Sequence, residues 1–382
     1  MRFAMIGTGF VADYYMTTLA NHGGLTPTGA WDRDRERLGR FCAHWTLTGY
    51  ETCQELLGDS RVDAVAVLTD PGSHYELAKA ALDAGKHVYC EKPLALTLTE
   101  ARRLVTLADA RGLILAGAPA NAYSSAFELT RATLDKGAIG APKLVYAQME
   151  DGAVFRERWR QWRSVSGAPW PGAHEFEIGC TLEHAGYALS WLIGLFGPIR
   201  RMVGHSGVFF ADKGVGVPAN RMGRDFSTAC LFFDDGVVAR LTCGLCAPKD
   251  RALTVMGDSG TLTVADLWDD RSAIHLETAG GGAGIGARIA RRLEARAGRV
   301  LPFAFPAGRR LSYGVGKRRK ALPGFPSQID FSAGLAAVAD CRAGRGKSRA
   351  QLAAEALHVT EAALALDGLG ASGGAYAMTS EV

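Results

Sequence analysis

The chain has 382 residues, of which 48% are hydrophobic and 21% charged, and its formal net charge is +4. That balance excludes an intrinsically disordered chain, and without an apolar run of ~18 residues it excludes a membrane-spanning helix. The length exceeds one typical core and predicts two domains, while an N-terminus that enters a strand with no charged leader predicts a cytoplasmic location.

Arg2 to Ile6 reads as a buried strand running into Gly7-Thr8-Gly9-Phe10-Val11-Ala12, a glycine turn that opens a helix. Gly7 and Gly9 stand where backbone must approach a ligand closely, and Ala12 lets the helix pack on the strand. This is the G-x-G-x-x-A form of a dinucleotide fingerprint. Bare N–H groups at the helix start, with the helix dipole, would hold a pyrophosphate beside Phe10 and Val11. A second apolar run, Leu25 to Trp31, ends in Asp32 at the spacing where a carboxylate accepts from an adenosine ribose. Asp32 argues for NAD, whereas Arg33 could instead hold the 2′-phosphate of NADP. The plainer alternative is an ordinary βαβ turn with Asp32 capping the next helix.

Val62 to Leu68 reads as the apolar strand of a parallel sheet and ends in Thr69-Asp70-Pro71-Gly72-Ser73-His74, where Ser73 is placed to cap a helix to about Ala84. A strand His87 to Cys90, a helix Leu98 to Arg111 and a strand Leu113 to Ala118 follow. The alternation predicts a right-handed, doubly wound parallel sheet carrying its ligand at the carboxyl ends of the strands. At one such end stands Cys90-Glu91-Lys92-Pro93. Pro93 disfavours helix at Lys92, so the ammonium is held near where a nicotinamide would lie; taken alone, the tripeptide is equally a surface turn.

From residue 121 the pattern changes to a helix Ser124 to Lys136, a strand Lys143 to Met149, a helix Cys180 to Ile193, and then several strands. Those are Arg200 to Phe210, Asp225 to Phe233, Val237 to Cys246, Ala252 to Gly257 and Gly260 to Val264, with hairpin signals at Asp234-Asp235-Gly236 and Asp258-Ser259-Gly260. Helices Phe331 to Arg342 and Arg349 to Ala365 and an unhelical tail after Gly368 close the chain. The expected organisation is α/β: a doubly wound dinucleotide-binding domain over 1–120, and an α+β domain over 121–382 with an open, mostly antiparallel sheet. Eight scattered cysteines suit reduced thiols, and Cys243-Gly-Leu-Cys246 lacks the second pair of a zinc site, so no metal centre is expected. Between residues 281 and 320, eleven Lys or Arg stand against one Glu, and Gly284 to Arg299 reads as an amphipathic helix. A lid or oligomer contact, a site for an anionic substrate, and a contact with an anionic membrane surface or polymer all fit it; nucleic acid is not expected, for want of interleaved aromatics.

In this order and spacing the glycine turn, Asp32, the Thr69-to-His74 segment and Glu91-Lys92-Pro93 resemble the Gfo/Idh/MocA oxidoreductase family, which includes glucose-fructose oxidoreductase and inositol dehydrogenases. The resemblance implies an NAD(P)-dependent enzyme whose dinucleotide is lined by Gly7, Gly9, Phe10, Val11, Ala12, Asp32, Arg33, Thr69, His74, Glu91 and Lys92. It also implies that Lys92 and an acid/base residue share the hydroxyl to be oxidised. The family's helix pattern Asp-x-Gly-x-His stands here as Glu183-His184-Ala185-Gly186-Tyr187, with Glu183 for the aspartate and Tyr187 for the histidine. Four residues apart, those two share a helix face. Tyr187 serves as a base only if Lys92 favours the phenolate, and otherwise is a buried aromatic. His184 is expected to face away from it and to become the base only on a change of helix register. Asn121, after the Leu113-to-Ala118 strand, and the pair Trp162-Arg163 are the further substrate candidates, with solvated charge as the bland reading of Arg163. A small carbohydrate substrate (a sugar, sugar derivative, nucleotide sugar or cyclitol) and a homo-oligomer, dimer or tetramer, complete the expectation. Two alternatives stay open: a glycosidase that cycles NAD internally, and a catalytically inert dinucleotide-sensing regulator.

Overall fold

A computed structural model of the chain describes residues 1–278, 308–314, 319–324 and 327–382. The expected basic helix from Gly284 to Arg299 therefore lies outside the described residues.

The elements in the first third are β1 (Arg2–Ile6), α1 (Phe10–Leu19), β2 (Thr26–Trp31), α2 (Arg35–Trp45), α3 (Cys53–Gly58), β3 (Ala64–Val67), α4 (His74–Asp83), β4 (His87–Cys90), α5 (Leu98–Ala110) and β5 (Leu115–Gly117). The five strands are all parallel, in the order β2-β1-β3-β4-β5. Successive strand residues serve opposite faces. Phe3 and Met5 pack with Tyr15 of α1 and Phe41 of α2, while Ala4 and Ile6 pack with Leu82 of α4 and Leu104 of α5. Both faces of the sheet are thus covered, and β3 is wholly buried because nothing but apolar chain meets it on either side. Thr97 caps α5 and Asp34 caps α2, so the plainer role offered for Asp32 falls to its neighbour. Ser73 does not cap α4; its hydroxyl donates to the Asp70 carboxylate at 3.0 Å.

The chain continues through α6 (Ser125–Asp135), β6 (Pro142–Glu150), α7 (Gly172–Ile178), α8 (Cys180–Phe196), β7 (Ile199–Gly207), β8 (Phe226–Phe233), β9 (Val238–Gly244), β10 (Leu253–Gly257), β11 (Gly260–Val264), β12 (Ile274–Thr278), β13 (Arg309–Arg310), α9 (Ala333–Arg342), α10 (Arg349–Gly368) and β14 (Gly374–Ala377). These strands form one open sheet in the order β13-β12-β11-β10-β6-β9-β8-β7-β14, antiparallel except for the parallel pair β6 and β9. Its inner face, with Val145, Ala147, Leu231 and Leu241, is buried together with α8. On the outer face Leu144, Tyr146 and Val203 are exposed.

Although they follow the second sheet in sequence, α9 and α10 return to the first. Gly334 of α9 lies so close to Tyr89 of β4 that a Cβ would come within 2.3 Å of its ring, and Gly117 of β5 meets Ala356 of α10 in the same way at 2.9 Å. On its other side α10 packs along α8. One helix therefore touches both sheets' cores.

Candidate active site

β1 ends at Gly7 with φ of +98°, a conformation that side chains resist, and a Cβ there would lie 2.6 Å from the Leu68 carbonyl oxygen. Gly9, the residue that opens α1, has nothing within 4 Å of a hypothetical Cβ. The first glycine is needed by the protein's own packing, and the second leaves backbone bare beside a cavity of about 860 Å3. Phe10, Val11, Asp32, Arg33, Thr69, Glu91 and Lys92 line the same space. Ala12 is fully buried against the strands, where its small size serves packing.

His74 departs from expectation. It is buried and does not line the cavity; its Nδ1 and Nε2 lie 2.7 Å from the Pro93 carbonyl oxygen and 3.1 Å from that of Thr69. It pins the turn after β3 to the turn after β4, and so positions Thr69 and Lys92. Glu91 is pinned likewise, accepting from the Tyr15 hydroxyl at 2.6 Å and from the Lys92 N–H at 3.2 Å.

Asp32 is the most heavily solvated carboxylate of the site, and the solvent is protein. Thr8 N–H and hydroxyl donate to Oδ2 at 2.8 and 2.9 Å, Asp34 N–H donates to Oδ1 at 2.8 Å, and Arg37 forks onto both oxygens at 2.9 and 2.6 Å. Burial disfavours the charge, yet the Arg37 guanidinium and these N–H groups outweigh it and hold the carboxyl below its usual range.

At the other end, Lys92 Nζ donates to Glu183 Oε2, and the ammonium lies 6.0 Å from the centre of the Tyr187 ring. Burial works against the ammonium, but Glu183, then Tyr187, Glu175 and Glu91, push its pKa above the ordinary lysine range. Tyr187 is not a ready phenolate. Burial raises its pKa above the ordinary value, and Glu91, Glu175 and Glu183 add to that rise, against which Lys92 alone pulls down. His184 corrects the helix argument: residues three apart on a helix are neighbours, and both His184 and Tyr187 reach the cavity against Trp268, at ring-centre distances of 5.6 and 4.9 Å. Burial, Lys92 and Arg251 lower its pKa to about 3, so the imidazole is neutral.

Trp162 lines the cavity with Trp170 and Trp268, giving three indoles suited to the apolar face of a ring. Arg163 does not join them; it is exposed and its Nη1 donates to the carbonyls of Arg160 and Trp162. Asn121 is buried away from the cavity, its amide donating to the Tyr187 and Leu267 carbonyls at 2.9 and 3.2 Å and accepting from Ser190 at 3.1 Å. It fixes α8 from behind. The Cys243 and Cys246 thiols turn to the carbonyls of Cys180 and Asp225.

Sequence reasoning missed Glu175, His174, Asp151 and Lys249, which also line this end. Glu175 and His174 belong to α7, a seven-residue helix too short for a periodicity signal.

Residues 1–118 match the model of an oxidoreductase family with an NAD-binding Rossmann fold, and residues 127–263 match the Gfo/Idh/MocA C-terminal domain. The chain belongs to the Gfo/Idh/MocA family. Inositol 2-dehydrogenase 1 of Saccharopolyspora erythraea is 36% identical over 184 residues, 47% of this chain and 53% of that protein. 1,5-Anhydro-D-fructose reductase of Ensifer adhaerens is 44% identical over 110 residues, 29% and 32% of the two chains. The chain thus spans about half the length, or less, of these curated relatives. The solved structure of aldose-aldose oxidoreductase from Caulobacter crescentus matches with a TM-score of 0.72 over 99% of both chains at 18% identity, a likeness of fold.

The family's first domain is an NAD-binding Rossmann fold, and the residues present here fit a nicotinamide dinucleotide. The open space beside Gly9 accommodates a pyrophosphate on the α1 N–H groups, and the cavity continues without interruption from Asp32 to Lys92.

Proposed function

We propose that this protein transfers a hydride between the nicotinamide dinucleotide and a secondary hydroxyl, or the corresponding ketone, of a neutral sugar or cyclitol. The observation that carries this reading is the Lys92–Glu183 pair at the Tyr187 end of a cavity that begins at the glycine turn. When bound, the nicotinamide supplies the hydride acceptor or donor. Lys92, kept charged by Glu183, donates to the substrate oxygen and stabilises negative charge developing there. Glu183 holds the ammonium in place, and the Tyr187 hydroxyl, kept protonated by its burial, donates beside it.

Neutrality of the substrate follows from the charges at this end. Asp151, Glu157, Glu175 and Glu183 face the space against Lys92 and Lys249, while Arg163 turns outward. With Lys92 taken by Glu183, and with no arginine lining this end among the described residues, a phosphate or carboxylate has Lys249 alone to meet, whereas hydroxyl groups find acceptors. Trp162, Trp170 and Trp268 favour a ring with an apolar face. The inositol dehydrogenase and anhydrofructose reductase among the relatives support the same class. A paired lysine and glutamate buried at the reacting end favours chemistry over dinucleotide sensing. Exposed Leu144, Tyr146 and Val203 on one sheet face support a homo-oligomer built on that face.

The test follows NADH and NADPH formation with inositols, free sugars, sugar phosphates and nucleotide sugars. Turnover of inositols or free sugars is the expected result. Turnover confined to phosphorylated substrates would overturn the neutral class, and silence throughout would overturn the dehydrogenase.

A further inference from the structure

Oxidation of a hydroxyl releases a proton, and the groups nearest the reacting oxygen are poorly suited to receive it. Lys92 and Tyr187 both carry their own protons with pKa values raised above the ordinary range, and His184 binds a proton only below about 3. Glu183 is engaged by Lys92. Of the other carboxylates at this end, Asp151 is engaged by Arg251 and Glu157 is exposed to solvent, which leaves Glu175. Glu175 of α7 faces the cavity with its Oε2 3.9 Å from His184 Nε2, beyond hydrogen-bond distance, and its carboxylate has no hydrogen-bond partner among the described residues.

We propose that Glu175 is the proton acceptor of the site, taking the proton of the reacting hydroxyl in oxidation and returning it in reduction. The proposal rests on the oxidoreductase reading above. In the oxidative direction the substrate O–H bond breaks, and its proton passes to the Glu175 carboxylate. The O–H electron pair becomes the second C–O bond, and the C–H pair leaves as hydride to the oxidised nicotinamide. Charge and atoms balance with no other reactant.

The groups around Glu175 suit that exchange. Glu183 and His184 face it from α8, Lys92 and Glu91 from the turn after β4, and Asp151 from the end of β6. On α7 itself, His174 also lines the cavity, whereas Glu177 pairs with Arg221 at 3.0 Å. Burial and Glu183 raise the Glu175 pKa, with Asp151 and Glu91 adding to them and Lys92 opposing, to about 8. A carboxyl that titrates there changes charge in the range where a general base is most effective. The alternative, that Glu175 only balances the charge of Lys92, predicts no proton transfer through it.

Glu175→Gln and Glu175→Asp in the full chain separate these. In infrared difference spectra between the wild type and Glu175→Gln, the wild type is expected to show a protonated carboxyl band that disappears as the pH rises through about 8. With a polyol that the wild type oxidises, kcat/KM is expected to climb to the same pH. Glu175→Gln should lower it by roughly 10²-fold and abolish the climb, Glu175→Asp should restore the climb, and NADH binding followed by fluorescence should be retained in both. An absent infrared difference, or an unchanged pH profile in an active Glu175→Gln, overturns the acceptor role alone. A wild-type chain inert toward every polyol overturns the oxidoreductase reading and the acceptor role together.

Discussion

Arg37 forks onto Asp32, its Nε 2.9 Å from one carboxylate oxygen and its Nη2 2.6 Å from the other, at the end of the cavity where an adenosine would lie. With Thr8 and Asp34 also donating, few of the roughly four lone-pair sites of the carboxylate remain for ribose hydroxyls. Arg33 lines the same end and is close to Asp70 at 3.8 Å. The adenosine end therefore presents a neutralised acid between two guanidinium groups, an arrangement tolerant of a 2′-phosphate. Arg37→Ala should free Asp32, strengthen NADH relative to NADPH, and change the ratio of their dissociation constants by about tenfold, or ~1.4 kcal/mol. Fluorescence titration with both reduced cofactors measures it, and a ratio that does not move would show that Arg37 has no part in the choice.

Lys92→Ala should leave NADH affinity within a few-fold of the wild type and reduce turnover by roughly 10²–10⁴-fold. The same change strands Glu183, which is 5% exposed, without its cation. A buried carboxylate so orphaned costs about 3 kcal/mol or shifts toward the neutral acid, so the melting temperature should fall as well. Lys92→Ala with Glu183→Gln should recover stability but not turnover, which separates the two effects.

The two glycines of the first turn should fail differently. Gly7→Ala forces a side chain onto φ of +98° and against the Leu68 carbonyl, at about 1–3 kcal/mol for the backbone alone. Gly9→Ala meets no protein atom within 4 Å and should fold as the wild type does. Its methyl group instead occupies space a pyrophosphate needs, so calorimetric binding of NAD+ should weaken while thermal stability is retained. Equal losses of stability in the two variants would contradict this.

Acid should remove the stability that the buried histidines contribute. His358 accepts from the Ile199 N–H at 2.9 Å, and burial holds its pKa at about 4, as it holds His184 at about 3, against 6.5 for the free side chain. Both folded values are depressed, so the unfolded chain binds more protons between those values and 6.5. The stability these neutral rings contribute is complete above about pH 6.5 and is lost as the pH falls toward 4 and below. Because Glu150, Asp151 and Glu175, with pKa values raised to about 7, 6 and 8, gain stability over the same fall in pH, the histidine share is read from the difference in urea midpoint between the wild type and His358→Gln. That difference should shrink from about pH 7.5 to about 5, and one that does not change would rule His358 out.

The first domain was legible because its signals are local and redundant. β1, its turn and Asp32 announce a nucleotide fold through spacing alone, and Lys92 is fixed by the proline after it. Where reading failed, a partner distant in sequence decided. The resemblance of the Thr69-to-His74 segment puts His74 on the dinucleotide, whereas its ring lies between the Pro93 and Thr69 carbonyls. Asn121 sits at a strand end as binding residues do, yet Tyr187, Leu267 and Ser190 saturate it. Glu175 carried no signal, because α7 is short and the importance of its carboxylate comes from Lys92, Glu183 and His184 around it. The Gly374–Ala377 strand likewise owes its existence to the edge of β7, since Gly-Ala-Tyr-Ala has little strand preference of its own.

Because α10 lies against β5 on one side and α8 on the other, the two walls of the cleft are clasped by a segment that leaves the ribosome more than two hundred residues after the first of them. The nucleotide-binding sheet can gather its own strands early, but Lys92 and Glu183 can be set in lasting register only once Gly368 has emerged. A nascent chain halted before that point would lack the helices that cover β4 and β5 as well as the clasp, so the dinucleotide cradle and the wall that faces it both wait on the same late segment.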